Sequence, residues 1–102
     1  MRQISKKQQS KNLTLSKIKK SLIDESGCTC RICGNYGNDL MHLMPKSIFP
    51  EYYTEPRNLI IGCRSCHDLY DNNILFRRQR GDLFMQCLEF ALECDVHRYF
   101  TL

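Results

Sequence analysis

Apolar residues show no period along the first dozen positions. A rhythm begins at Leu15, where Leu15, Ile18 and Leu22 recur at three- and four-residue steps. That spacing predicts an amphipathic helix over roughly 14–25 that stops near Gly27. Residues 1–13 read as a basic, mobile arm. Residues 38–44 carry apolar side chains on both faces of an extended chain, which predicts a buried strand ended by Pro45. "NLIIG" at 58–62 is a short second strand, and 64–73 a helix. Between the strands the chain has no clear period, but the aromatics of "SIFPEYY" favour an ordered loop packed by Phe49, Tyr52 and Tyr53. Asp82 is placed to cap a last helix over 82–97, whose face of Leu83, Phe84, Cys87, Leu88, Ala91 and Cys94 would pack on the rest and bury both cysteines. The pattern describes an α+β chain with a helix on each flank.

A chain of 102 residues makes one domain, expected over 14–102 with a core at 28–73, and its apolar core needs reinforcement at this size. Seven cysteines offer it, as disulfides or as metal ligands. "MRQISKKQQSKNLTLSKIKK" contains no apolar run of the secretory kind, and no stretch of the chain is long enough to span a bilayer. A cytoplasmic location without membrane contact is therefore expected. An odd number of cysteines cannot all pair within one chain, which favours metal.

Net charge is +4 with a sequence pI near 8.7, suggestive of a polyanionic partner. The charge is uneven: Arg2, Lys6, Lys7, Lys11, Lys17, Lys19 and Lys20 stand in the first twenty residues without an acid, and "RRQR" at 77–80 forms a second cluster. Each cluster taken alone fits a solvated face equally well.

Cys30 and Cys33 are separated by two residues, as are Cys63 and Cys66. A two-residue gap lets the chain turn so that both thiolates approach one tetrahedral ion at about 2.3 Å, and Gly34 relieves the first turn. Two such knuckles make a closed structural Zn²⁺ site whose removal should unfold the domain. Cys28 could replace Cys30, although only Cys30 gives the two-residue gap. Cys66 opens the helix at 64, so the metal also fixes where His67 and Asp71, four residues apart on one helical face, are aimed.

"CRIC", "DLMHLMPKS", "EPRNLIIGCRSCH" and "DLYDN" together resemble the cysteine-containing branch of the HNH endonuclease family, over about residues 28–73. The resemblance implies a small ββα-metal, treble-clef-like core: two antiparallel strands with a long connection, packed on one helix around a divalent ion. It implies that His42 is the general base activating water, that Asn58 fixes the loop and the histidine, and that His67 binds the catalytic ion with Asp71 as a further ligand in some members. Apolar neighbours suit a histidine that must stay neutral near pH 7, since burial disfavours its charged form.

One position departs from the family. Many members place Asp or His immediately before the base, where this chain has Met41, a poor ligand for Mg²⁺ or Mn²⁺. Asp39, two residues earlier, is expected to approach the ion only if the strand bulges. The catalytic metal (Mg²⁺, Mn²⁺, Ni²⁺ or Zn²⁺) is left open. Lys46, Arg57 and Arg64 stand beside the signature positions as candidate phosphate contacts, and Arg77, Arg78 and Arg80 could extend along a nucleic-acid backbone. The expected activity is metal-dependent hydrolysis of phosphodiester bonds in DNA. The alternative is a zinc-knuckle nucleic-acid binding module without the chemistry. A compact lone nuclease would suit a phage or mobile element by analogy.

Overall fold

In the computed structural model, which describes residues 6–100, helix α1 runs over Lys6–Ser26. It contains the expected 14–25 segment but begins inside the stretch read as an arm. The reason is local: "KKQQSKNL" has no glycine or proline and consists largely of straight-chain residues that lose little freedom in a helix. Residues 1–5, with Arg2, lie outside the described residues. Leu15, Ile18 and Leu22 form the half-buried side of α1, and the backbone N–H of Gly27 closes its end on the Ile23 carbonyl at 2.7 Å.

Strand β1 (Asp39–His42) pairs with β2 (Leu59–Gly62) in a two-stranded antiparallel sheet, with Asp39 opposite Gly62 and His42 opposite Leu59. All four β2 residues are buried. Met41 is completely buried and lies over Gly62, where an added Cβ would come 2.1 Å from the Met41 sulfur. Helix α2 (Arg64–Asn72) follows directly, started by Cys63, whose sulfur accepts from the Cys66 N–H. Helix α3 (Ile74–Gln79) is capped by Asn73.

The single last helix expected over 82–97 is not formed. Helix α4 (Gly81–Phe84) passes into a 3-10 turn at Met85–Glu89, and after a break helix α5 spans Glu93–Phe100. Tertiary contacts override the helical periodicity here. The broken path buries Cys87, while Asp95, in the first turn of the new helix, reaches back to accept from the Leu92 N–H at 3.3 Å. Cys94, expected in the core, is consequently exposed. Asp82 is not the cap either; it sits in the first turn of α4 and pairs with Arg80 at 3.0 Å.

The core joins Met41, Leu43, Met44 and Phe49 from β1 and the following loop to Ile60, Tyr70, Leu83 and Cys87. Burial of such side chains contributes roughly 1.5–3 kcal/mol each. The chain is a small α+β fold, and no described helix is long and apolar enough to cross a membrane.

Candidate functional site

The chain turns back on itself between Thr29 and Tyr36, which form an antiparallel bridge. Within this hairpin the Gly34 N–H bonds the Cys30 carbonyl at 2.9 Å. Gly34 has φ +80°, a backbone angle that L side chains rarely adopt. The Arg31 N–H bonds the Ile61 carbonyl at 2.8 Å, fastening this knuckle to β2 just before the second cysteine pair. The sulfurs of Cys30, Cys33, Cys63 and Cys66 lie within 4.8 Å of one another, with Cys33 and Cys63 at 3.8 Å. Four sulfurs at about 2.3 Å from a tetrahedral zinc would be separated by about 3.8 Å. The group could thus hold a metal such as zinc.

All seven cysteines are free thiols, and Cys28 is not part of the cluster. Burial raises the Cys30 thiol, but N–H donors from Cys33, Cys63 and Ile32 outweigh it and bring it down to about 6. Burial and the adjoining sulfurs push Cys66 up instead. Four neighbouring sulfurs could all be thiolates only with a cation between them.

Cys63 and Cys66 sit at the start of α2, and the same helix carries His67 and Asp71. His67 is held at both nitrogens: Nδ1 lies 3.0 Å from Asp39 Oδ2, and Nε2 lies 3.1 Å from Asp71 Oδ2. Arg64 Nε meets the same Asp39 oxygen at 3.2 Å. β1 and β2 pair continuously over four residues, so Asp39 stands beside His67 on a strand without a bulge. The first turn of α2 places His67 beside the start of β1.

His42 ends β1 and lines an open cleft of about 350 Å³ together with Pro45, Lys46, His67, Asp71 and Arg77 among others. Its Nε2 is 2.9 Å from the Tyr53 carbonyl. A carbonyl only accepts, so Nε2 carries the proton and Nδ1 is the basic nitrogen. The ring also stacks on Tyr53, centroids 4.9 Å apart and planes 4° from parallel. Burial lowers the His42 pKa from its ordinary value, opposed by the Tyr53 carbonyl.

Asn58 is fully buried and ties the loop ahead of β2 to the chain leaving β1. Its Oδ1 accepts from the Met44 N–H at 2.7 Å, while Nδ2 donates to the carbonyls of Met44 at 3.2 Å and Tyr52 at 3.1 Å. These bonds go to the backbone and not to an imidazole, and the one to Tyr52 holds the chain next to the Tyr53 carbonyl.

The basic residues divide. Lys46 and Arg77 line the cleft. Lys46 Nζ stands 4.4 Å over the Tyr53 ring, and Lys11 of α1 reaches the same ring at 5.7 Å. Arg77 also donates to the carbonyls of Tyr70 and Asp71. Arg57 pairs with Glu55 at 2.8 Å, and Arg80 with Asp82. Arg64 turns to Asp39, and Arg78 is exposed outside the cleft lining.

Sequence reasoning missed three parts of this arrangement. The Tyr53 carbonyl leaves no side-chain signal. The pairing of Asp39 with His67 has no spacing motif to mark it. Asp95, buried at 5% exposure, accepts from the Tyr52 hydroxyl and from Arg98 Nη2 at 2.8 Å, while Arg98 also bonds Glu51 at 2.6 Å. These contacts fasten α5 to the loop that carries Tyr53. No protein-family model, curated protein or solved structure matches the chain.

Proposed function

We propose that the protein is a metal-dependent endonuclease of the HNH type that hydrolyses phosphodiester bonds in nucleic acid, DNA above RNA. In this reading β1, β2 and α2 are a ββα-metal core braced by zinc on the four cysteines. One observation carries the proposal: His42, at the end of β1, lines the same cleft as His67 and Asp71 of α2, together with Lys46 and Arg77.

The residues present suit a hard divalent ion. An imidazole nitrogen and a carboxylate oxygen 3.1 Å apart on one helical turn are adjacent donors of the kind Mg²⁺ or Mn²⁺ accepts beside water and phosphate oxygens. When bound there, the ion supplies charge neutralisation at the scissile phosphate and the leaving oxygen. His42 Nδ1 takes the proton of the attacking water, while Nε2–H stays on the Tyr53 carbonyl and fixes the ring. Lys46 and Arg77, which line the cleft, would supply the positive charge that contacts the phosphate.

Plasmid nicking with added Mg²⁺, Mn²⁺, Ni²⁺ or Zn²⁺ tests the reading. The expected result is metal-dependent cleavage that His42→Ala lowers about 10²–10⁴-fold, the usual contribution of a general base. Cleavage equal in wild type and His42→Ala contradicts it.

A second reading, a zinc-knuckle module that binds nucleic acid without cutting it, is favoured by Met41. That side chain is fully buried, so β1 contributes no ligand at this position. Salt-dependent DNA binding without cleavage under any of the four metals would select it.

A further inference from the structure

We infer that Asp39 is the positioning residue of the cleft: it orients His67 so that the Nε2 nitrogen faces Asp71 and a divalent ion, without itself being a ligand. The inference rests on reading the cleft as a metal site.

An imidazole that binds an ion through one nitrogen keeps its rotation and tautomer only if the other nitrogen has a fixed partner. In this chain that partner is a carboxylate. Asp39 Oδ2 lies 3.0 Å from His67 Nδ1, on the opposite side of the ring from Asp71 Oδ2, which is 3.1 Å from Nε2. Both nitrogens face carboxylate oxygens, which only accept; an ion bound at Nε2 would take that lone pair, and the one remaining ring hydrogen would then sit on Nδ1, donated to Asp39.

Asp39 is itself held. Its backbone is paired opposite Gly62 at the start of the sheet, and Arg64 Nε, from the first turn of α2, meets the same oxygen at 3.2 Å. The oxygen facing His67 thus has two donors. The Asp39 side chain is 21% exposed and is absent from the cleft lining, whereas His67 and Asp71 are part of it. With Met41 turned into the core, the ion would have two protein donors in this cleft. A site with so few ligands depends strongly on how each is aimed.

Mn²⁺ titration of the zinc-loaded full chain by calorimetry tests this, with zinc content and melting temperature followed in parallel. Asp39→Ala is expected to weaken Mn²⁺ binding about 10–100-fold, and nicking by this variant should recover as Mn²⁺ is raised to saturation. Asp39→Asn can still accept from Nδ1–H but has lost the charge, so it should fall between Asp39→Ala and wild type. Arg64→Met should stay within about twofold, since the Arg64 side chain is 74% exposed. Should Asp39→Ala lose zinc or fold, Asp39→Asn decides.

Mn²⁺ affinity unchanged by both Asp39 substitutions overturns the inference while leaving the metal site intact. An effect of Arg64→Met as large as that of Asp39→Ala overturns it too, by assigning the loss to the surface ion pair. Absence of any Mn²⁺ uptake by the wild-type chain overturns the metal reading itself, and this inference with it.

Discussion

The cleft is anchored from two ends by regions built on different principles. On one side the cysteine cluster aims α2, and through it His67 and Asp71; on the other, the C-terminal segment grips the loop that presents the Tyr53 carbonyl to His42. The first region is a pair of local turns, each two residues across, joined where four sulfurs meet. The second is a set of contacts between residues far apart in the chain, with Asp95 receiving the Tyr52 hydroxyl and Arg98 bridging to Glu51. An anchor closed by a metal at those four sulfurs would be all-or-none, whereas a hydrogen-bonded one weakens by degrees.

Breaking the first anchor should have the largest effect. Metal binding to a four-cysteine site is folding free energy, on the order of 10 kcal/mol. Cys66→Ser, or removal of the metal, is expected to abolish the cooperative thermal transition, read by circular dichroism. A fully folded metal-free chain would mean that the cluster is incidental.

Loosening the second anchor should cost less. Tyr52→Phe removes the hydroxyl from Asp95, and Asp95→Asn removes the charge that Tyr52, Leu92 and Arg98 share. Each is expected to destabilise by about 1.5–3 kcal/mol, the range for hydrogen bonds to a charged group, measurable by urea unfolding with zinc bound.

The pH dependence of this anchor has a definite sign. The Tyr52 hydroxyl, then the Leu92 N–H and Arg98, hold the Asp95 carboxyl below its ordinary value of 3.8. The folded chain therefore binds fewer protons there than the unfolded chain. The stabilisation is complete above the ordinary value and is lost as pH falls through the folded one. Asp95→Asn should flatten the acid side of the stability profile, and an unchanged slope would remove Asp95 from the account.

The smallest effect is expected in the pH at which His42 changes its charge. Burial lowers its pKa from 6.5, so the neutral, basic form persists to a lower pH than for a solvated imidazole. Cleavage should rise with pH along a limb centred below 6.5. In Tyr52→Phe, where the loop is less firmly held, both the burial and the Tyr53 carbonyl contact of His42 change, and that limb should shift by under about one unit. A limb at the same pH in both proteins would separate the C-terminal anchor from the base.

The same contrast explains what the sequence could reveal. A CxxC knuckle is dictated by a two-residue turn, so both cysteine pairs, the start of α2 and the shared face of His67 and Asp71 were legible from spacing. Both strands were legible as well, because apolar runs bounded by Pro45 and Gly62 leave few other structures. The break after α4 was not, since residues 82–97 have good helical periodicity; only the burial of Cys87 and the contacts of Asp95 with Tyr52 and Arg98 select the broken path. Asp39 shows a subtler limit. Its place beside His67 depends on strand register and on how the first turn of α2 crosses the strand, neither of which leaves a mark in the residues around it.

Graded chelation of the metal-loaded protein, followed at once by circular dichroism and by plasmid nicking in Mn²⁺, tests the division into a scaffold metal and a working metal most directly. The expected result is two separate transitions, with cleavage lost first while the fold is intact and the fold lost only when the cysteine-bound metal is stripped. Cleavage and fold disappearing together in a single step, or cleavage surviving until the chain unfolds, would contradict it.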